Sequence, residues 1–197
     1  SGQDTGWDAY VIDERDGHKK VMEVYDNAGS GRRTYANHHF EEGPQTSGTV
    51  EFGMQYTDGT SWTNRFGLGG YNVEIRTEGT FKYMDHSSLI DTGLQASKST
   101  WYRFEIDFSG DGSYAGLGFE QFKLRIYNEA GDLLYSSPIS DYTDGRTGDI
   151  EKFYVVTGDS ATSIFYVDAL GYSWDENYDL GDNWNEGLLL SYTNTTS

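Results

Sequence analysis

Six cationic residues fall at alternate positions of strand-like segments, a spacing that could gather them on one surface. In TWYRFEIDF (100–108), Phe104 and Ile106 lie on one side of an extended strand and Arg103 on the other, because side chains alternate along a strand. The same alternation in neighbouring segments predicts one sheet surface that collects six of the 14 basic residues: Arg65, Arg76, Lys82, Arg103, Lys123 and Arg125. Four carboxylates interleave with them, at Glu51, Glu74, Glu105 and Asp107.

Such a surface suits a polysaccharide, including one that carries carboxylate or sulfate groups. The guanidinium fork matches a carboxylate in two hydrogen bonds, and an aromatic ring offers a flat surface to a sugar ring. We therefore assign ligand-binding roles to Arg65, Arg76, Lys82, Trp101, Arg103, Glu105, Lys123, Arg125 and Tyr127. The alternative is a solvated sheet face whose cross-strand ion pairs contribute only about 0.2–1 kcal/mol each.

A polysaccharide lyase could use the same surface for β-elimination on a uronate polymer. That reaction needs a base for the proton alpha to the carboxylate, and donors that stabilise the developing charge. The segment TYANHHF (34–40) supplies the base, with further groups from two other segments if the strands pair suitably. The candidate catalytic residues are Tyr35, His38, His39, Gln55 and Arg76.

The composition predicts an all-β protein. The 197 residues include 16 Tyr, 10 Phe and 25 Gly but only 2 Pro, which favours half-buried pleated strands joined by glycine turns. A net charge of −18 argues against nucleic acid and anionic membranes as partners. There is no cysteine, and no apolar run approaches the length of a membrane span. We expect an extracellular or cell-surface protein.

Short apolar segments recur between turn-forming clusters such as TDGT and EAGD. This spacing predicts an antiparallel two-sheet β-sandwich, formed by a single domain over 1–190 and followed by a flexible tail over 191–197. The predicted strands are 20–26, 33–40, 49–57, 61–69, 71–77, 80–84, 100–108, 119–128, 132–137, 151–158 and 163–174.

Several of these segments, in their order, resemble the concanavalin A-like jelly rolls of the laminin-G type. The motifs are GTVEFGMQYTDG (48–59), STWYRFEIDFSGDG (99–112), FKLRIYNEAGDL (122–133) and FYVDALGYSW (165–174). The resemblance implies two antiparallel sheets, a structural calcium ion and a curved face that binds carbohydrate in many members. The family also includes glycoside hydrolases and polysaccharide lyases, so the fold alone does not decide the function. A hydrolase is the less favoured enzyme, because Gly110 stands where the third carboxylate of the Glu-x-Asp-x-x-Glu signature would be.

The resemblance also implies a ligand set for the calcium ion. Asp168 stands where related modules place a calcium-ligating aspartate, and its predicted partners are Asp26 and Asp8. A second calcium loop is possible within SWDENYDLGDNWNEG (173–187), although Leu180 occupies the position at which an EF-hand requires glycine. Its candidate ligands are Asp175, Asn177, Asp179 and Asp182.

We therefore expect a non-catalytic, lectin-like carbohydrate-binding module that holds a polysaccharide on a sheet face and contains structural calcium. The alternatives are a polysaccharide lyase that uses the same face and a structural cell-surface or adhesion domain whose polar face meets only water. The expected partners are a polysaccharide or glycan and, where the chain is part of a longer protein, its other domains. Neither nucleic acid nor membrane insertion is expected.

Overall fold

The structure is a computed structural model that describes residues 7–26, 34–58, 64–157 and 163–176. Within these ranges the chain forms fourteen β-strands and no helix. The strands are β1 (Trp7–Arg15), β2 (His18–Asp26), β3 (Tyr35–His39), β4 (Ser47–Asp58), β5 (Asn64–Leu68), β6 (Val73–Glu78), β7 (Thr80–Asp85), β8 (Ser88–Gln95), β9 (Trp101–Ser109), β10 (Gln121–Asn128), β11 (Leu133–Ser136), β12 (Ser140–Asp141), β13 (Lys152–Val156) and β14 (Ser163–Tyr172).

The strands form two antiparallel sheets. Sheet A has the order β1-β2-β14-β4-β9-β10-β11, with β12 also paired to β10. Sheet B has the order β3-β13-β5-β6-β7-β8. The prediction of an all-β, two-sheet antiparallel sandwich is confirmed.

Alternating apolar side chains from both sheets form the core between them. Phe104, Ile106 and Phe108 of β9 are fully buried, as the period of two predicts. Aromatic rings of the two sheets meet there: the Phe104 ring lies 5.0 Å from the Phe66 ring of β5, and Phe52 of β4 lies 4.7 Å from Phe153 of β13. Such contacts add to the burial of apolar area, so the inward faces of the strands hold the sandwich together.

Three strands were not revealed by the sequence pattern: the two-residue β12, and β1 and β8, which lie at sheet edges. Strand β1 pairs only with β2, and β8 pairs only with β7. Because an edge strand buries less surface, its apolar alternation is weak: Tyr10 and Val11 of β1 are both exposed, as is Leu89 of β8. Among the described residues, no helix could cross a membrane.

Candidate functional site

The six cations do not share one surface, which corrects the central sequence-based prediction. Arg65, Arg76 and Lys82 lie on β5, β6 and β7 of sheet B, whereas the other three lie on β9 and β10 of sheet A. Alternation along each strand placed every cation on a solvent-side face, but the faces belong to different sheets. The reason is topological, because consecutive strands such as β4 and β5 enter opposite sheets.

The three cations of sheet B are paired with carboxylates. Arg65 and Arg76 both contact Glu74, which is itself buried, and Lys82 lies 2.9 Å from Glu78. The three cations are therefore held by carboxylates of their own sheet, and the cationic trough predicted for an anionic polymer is not present on it.

The outward side chains of β4, β9 and β10 form the candidate site, here called the β9–β10 face. Strand register arranges them in three rows across the sheet. The first row is Gly53–Arg103–Tyr127, the second is Glu51–Glu105–Arg125, and the third is Thr49–Asp107–Lys123. This surface contains five of the nine residues predicted to bind ligand: Arg103, Glu105, Lys123, Arg125 and Tyr127.

Ion pairs link these rows into one network. Arg103 donates to Glu51 at 3.2 Å, and Arg125 contacts both Glu105 and Asp107, the latter at 2.9 Å. The side chains are largely withdrawn from solvent, with exposures of 15% for Arg103 and 3% for Glu51. Charged groups on a sheet face that are this well covered are fixed in one arrangement rather than free in solution.

Hydroxyl groups complete the network at both ends of the face. The Thr49 hydroxyl donates to Asp107 at 2.7 Å and meets the Tyr114 hydroxyl at 2.9 Å. At the other end the Tyr127 hydroxyl donates to Glu105 at 3.1 Å, and the Arg103 guanidinium lies 4.0 Å from the centre of the Tyr127 ring. Burial and the neighbouring Glu105 carboxylate raise the pKa of Tyr127 to about 12, so its phenol stays a neutral donor at physiological pH.

The tip of the β1–β2 hairpin borders this face. Arg15 donates to the Gln55 side chain at 3.1 Å, and Gln55 donates in turn to Asp16 at 2.8 Å. His18, at the start of β2, lies 2.8 Å from Asp168 of β14 through its Nδ1 atom and stacks on Trp101 at 4.1 Å. The hairpin tip therefore lies against the outer side of β14, β4 and β9 and forms a wall beside the Arg103 row.

The position of this hairpin corrects the role predicted for Trp101. The indole is on the outer side of β9, as predicted, but it is only 2% exposed because His18 stacks on it. It therefore offers no free platform to a sugar ring. Sequence reasoning missed His18, although Asp16-Gly17 is a strong hairpin signal and both residues have the positive φ angles of a tight turn, 52° and 92°.

The residues predicted for a lyase are not brought together. Tyr35, His38 and His39 belong to β3, and Arg76 lies on β6, three strands away and therefore roughly 14 Å distant. Gln55 is on β4 in the other sheet. His38 lies among the Phe40 and Tyr172 rings, and burial lowers its pKa. The set is not assembled, because the strand order keeps apart the three segments that the prediction required to pair side by side.

The predicted calcium ligands also lie apart. Asp26 pairs in register with Ser163, five residues before Asp168 along β14, which separates the two aspartates by about 17 Å. The carboxylates have other partners: Asp26 accepts a hydrogen bond from Thr157 at 2.7 Å, and Asp168 is bound to His18. Asp8 bonds to the backbone of Ala9 and lies on the opposite side of the hairpin from Asp26, since it pairs with Tyr25.

Of the second calcium candidate, Asn177, Asp179 and Asp182 lie outside the described residues, and Asp175 lies within them. Among the described residues, no group of three or more His, Asp or Glu side chains is arranged to hold a metal ion.

Comparison with known proteins gives similarity only at the level of three-dimensional structure. No protein-family model matches the chain, and no curated protein matches it. A protein of unknown function from Shewanella oneidensis MR-1 is 12% identical, with a TM-score of 0.49, and the similarity covers 82% of this chain and 77% of that chain. An alginate lyase from Chlorella virus is also 12% identical, with a TM-score of 0.49 and coverage of 84% and 88%.

The carbohydrate-binding module CBM66 from Bacillus subtilis is 11% identical, with a TM-score of 0.39 and coverage of 82% of this chain and 92% of that chain. Carbohydrate-acting and carbohydrate-binding proteins are thus among the similar structures, whereas the laminin-G type is not shown by them. At these identities and TM-scores the similarities assign no function to this chain.

Proposed function

We propose that this chain is a carbohydrate-binding domain that holds an uncharged polysaccharide on the β9–β10 face. The observation that carries the proposal is the fixed network of planar polar groups on that face, in which Glu51, Arg103 and Arg125 are held by ion pairs. Carboxylates accept hydrogen bonds and guanidinium groups donate them, which complements the paired hydroxyls of a sugar ring. Because these groups are already ordered, binding need not immobilise them.

The charge of the face favours a neutral ligand over the anionic one predicted from the sequence. Three carboxylates (Glu51, Glu105 and Asp107) balance three cations (Arg103, Lys123 and Arg125). The whole chain carries a net charge of −18, which repels polyanions at long range. A neutral polysaccharide is not repelled in this way, and the donors and acceptors along the rows can still bind its hydroxyl groups.

The dimensions of the face suit an extended chain rather than a single sugar. The three rows together extend over about 13 Å along β9, from residue 103 to residue 107, and each row crosses three strands, which span about 10 Å. The hairpin tip bounds one end, where Trp101 is covered. A polymer segment lying beside the hairpin would therefore contact Arg103, Glu105 and Tyr127.

The test removes one ion pair without changing the net charge. The double substitution Glu51→Gln with Arg103→Met replaces both partners, so neither charge is left buried alone. We expect this variant to lose retention on neutral polysaccharides in affinity electrophoresis, across a panel of β-glucan, mannan and xylan gels with alginate and pectate as anionic comparisons.

A matched control removes an equivalent pair from sheet B. Glu78→Gln with Lys82→Met also deletes one cation and one carboxylate, and it should leave retention unchanged. Absence of retention of the wild-type protein on every gel would favour the adhesion alternative. Equal loss of retention in the two double variants would show that the β9–β10 face is not the site. The appearance of absorbance from an unsaturated product would favour the lyase alternative.

A further inference from the structure

Two adjacent leucines of β11 are exposed next to the β9–β10 face. Leu133 is 54% exposed and Leu134 is 41% exposed, on the strand that ends sheet A beside β10. Leu133 pairs in register with Tyr127, and paired residues of antiparallel strands point to the same side of a sheet. Leu133 therefore extends the row of Arg103 and Tyr127 beyond β10, and it gives that row an apolar end.

A β-bulge brings the second leucine to this edge. Tyr127 pairs with Leu133 and the preceding Ile126 pairs with Tyr135, so Leu134 is an extra residue in β11. A bulge sets two residues opposite one, and at sheet edges it re-aims side chains. The Tyr135 side chain points inward, where its hydroxyl donates to a tyrosine of β7 at 3.4 Å, whereas both leucines are exposed. The bulge thus sets two exposed apolar side chains beside the candidate site.

The turn between β10 and β11 fixes the position of this apolar edge. The Asn128 amide donates to the Asp132 carbonyl at 3.0 Å, and the Asn128 side chain donates to the Asp132 carboxylate at 2.9 Å. In return, the Asp132 amide donates to the Asn128 side-chain oxygen at 2.8 Å. Further along β11, Ser136 pairs in register with Arg125, so the second row also continues onto this strand. The edge is therefore preformed at a fixed distance from the polar rows.

The boundaries of the face favour a ligand that crosses the strands. The hairpin tip closes the end of the face near Trp101, and Tyr114 borders the other end, where its hydroxyl meets that of Thr49 at 2.9 Å. Both boundaries lie at strand ends, whereas no described strand lies beyond β11. In the crossing direction the rows reach Leu133 and Ser136, and the four strands from β4 to β11 span about 14 Å.

The chemistry of this edge favours a sugar over a second protein chain. A pyranose ring carries hydroxyl groups around its rim and C–H groups on its faces, so an apolar contact beside polar rows matches it. A specific protein interface buries roughly 800 Å² on each partner, far more than two leucine side chains supply. Glu129 and Asp132 in the preceding turn are exposed, and a net charge of −18 repels a second copy of the chain.

We propose that the bound polysaccharide crosses the strands of sheet A and rests the C–H face of one sugar ring on Leu133 and Leu134. Its hydroxyl groups then bind the rows of β4, β9 and β10. This inference rests on the proposed function and adds to it a direction for the bound chain and an apolar subsite. The ligand class is accordingly an extended chain of neutral pyranose units that spans four strands, rather than a single sugar.

The substitution Leu133→Trp tests the contact by a gain of binding. A larger flat side chain at this exposed position should strengthen binding of cellohexaose, mannohexaose or xylohexaose, and the fluorescence of the new indole should shift when that oligosaccharide is added. The matched control, Leu89→Trp, introduces an indole at a position of β8 that is 38% exposed, and it should change neither quantity. An equal fluorescence response in the two variants, or none in either, would overturn the subsite.

Removal of the apolar side chains should act on long ligands. The double substitution Leu133→Thr with Leu134→Thr should weaken hexasaccharide binding by about tenfold in calorimetry, because the apolar contact is lost. Binding of the matching disaccharide, which is too short to reach from β4 to β11, should change by less than about twofold. Leu89→Thr is the control and should affect neither ligand. An equal loss for the two ligand lengths would contradict the direction of the bound chain.

The subsite and the proposed function fail in different ways. If the Glu51→Gln and Arg103→Met double variant loses retention while the double threonine variant keeps full affinity for the hexasaccharides, the β9–β10 face stands and the subsite is excluded. If the wild-type protein binds none of the polysaccharides or hexasaccharides, both proposals are excluded. A wild-type dimer in analytical ultracentrifugation that becomes monomeric in the double threonine variant would instead assign this edge to a second copy of the chain.

Discussion

At the scale of single residues, charged side chains on both sheets form ion pairs with neighbouring side chains of opposite charge. Glu74 joins two arginines on sheet B, and Arg125 joins two carboxylates on sheet A. His18 is buried as well, because it lies between Asp168 and Glu129 and stacks on Trp101. Such buried pairs contribute little net stability when intact but are costly to break on one side.

Replacement of His18 by alanine should therefore destabilise the protein strongly. It leaves the Asp168 carboxylate buried without its partner, a change that typically costs 3–5 kcal/mol, so we expect a loss of about 3 kcal/mol in urea unfolding. The control is His86→Ala: that imidazole is 62% exposed and should change stability by no more than about 0.5 kcal/mol. Similar small effects of the two substitutions would contradict the buried role of His18.

At the scale of elements, the β1–β2 hairpin connects the fold to the candidate site. Its two-residue turn requires positive φ at Asp16 and Gly17, which is the geometry that matches the twist of the paired strands. The turn places Arg15 and His18 opposite each other in register, and from there they reach Gln55 and Asp168 of the central strands. The β1–β2 hairpin, at the edge of sheet A, thus borders the β9–β10 face.

Gly17→Ala should weaken this hairpin by strain alone. The glycine has φ of 92° with nothing within 4 Å of an added Cβ atom, so we expect a cost of about 1 kcal/mol. In β5, Gly67→Ala should cost more, roughly 3 kcal/mol, because its Cβ would lie 2.0 Å from the Val73 carbonyl oxygen. Chemical denaturation of both variants, with Gly70→Ala as the unstrained comparison, tests the order; an equal cost at positions 17 and 67 would contradict it.

At the scale of the whole molecule, many tyrosines and a large negative charge together set the response to alkaline pH. Burial raises the pKa of Tyr35, Tyr127 and Tyr172 to about 12, and the hydrogen bond to Glu23 does the same for Tyr10. The negative charge of neighbouring carboxylates adds to the effect in each of these four cases. A protein with 32 acidic residues therefore resists the formation of further anions in its folded state.

Stability should accordingly fall between pH 10 and pH 12. The unfolded chain loses its phenolic protons near pH 10, whereas the folded protein keeps them to about pH 12, so the unfolded state binds fewer protons in this window. The stabilisation is complete below pH 10 and is lost as pH rises toward 12. Melting temperature followed together with tyrosinate absorbance checks this expectation, and a melting temperature that is constant over the window would refute it.

Local alternation in the sequence determined which side of each strand is apolar, and therefore the all-β sandwich and the inward position of Phe104 and Ile106. It also placed Arg103, Glu105 and Arg125 on an outer face, because the period of two is a property of the strand alone. The edge strands β1 and β8 escaped this reasoning, since their apolar alternation is too weak to show the pattern, whereas the edge strands β3 and β11 were predicted.

Only the tertiary structure decided which strands contribute their outward side chains to the same sheet surface. Strand pairing is long-range: β14 enters sheet A between β2 and β4, and the chain crosses to sheet B at β5, so the six cations divide between two surfaces. The same long-range packing covered Trp101 with His18. Contacts of this kind depend on the separation of residues in space, which the spacing of residues along the chain does not encode.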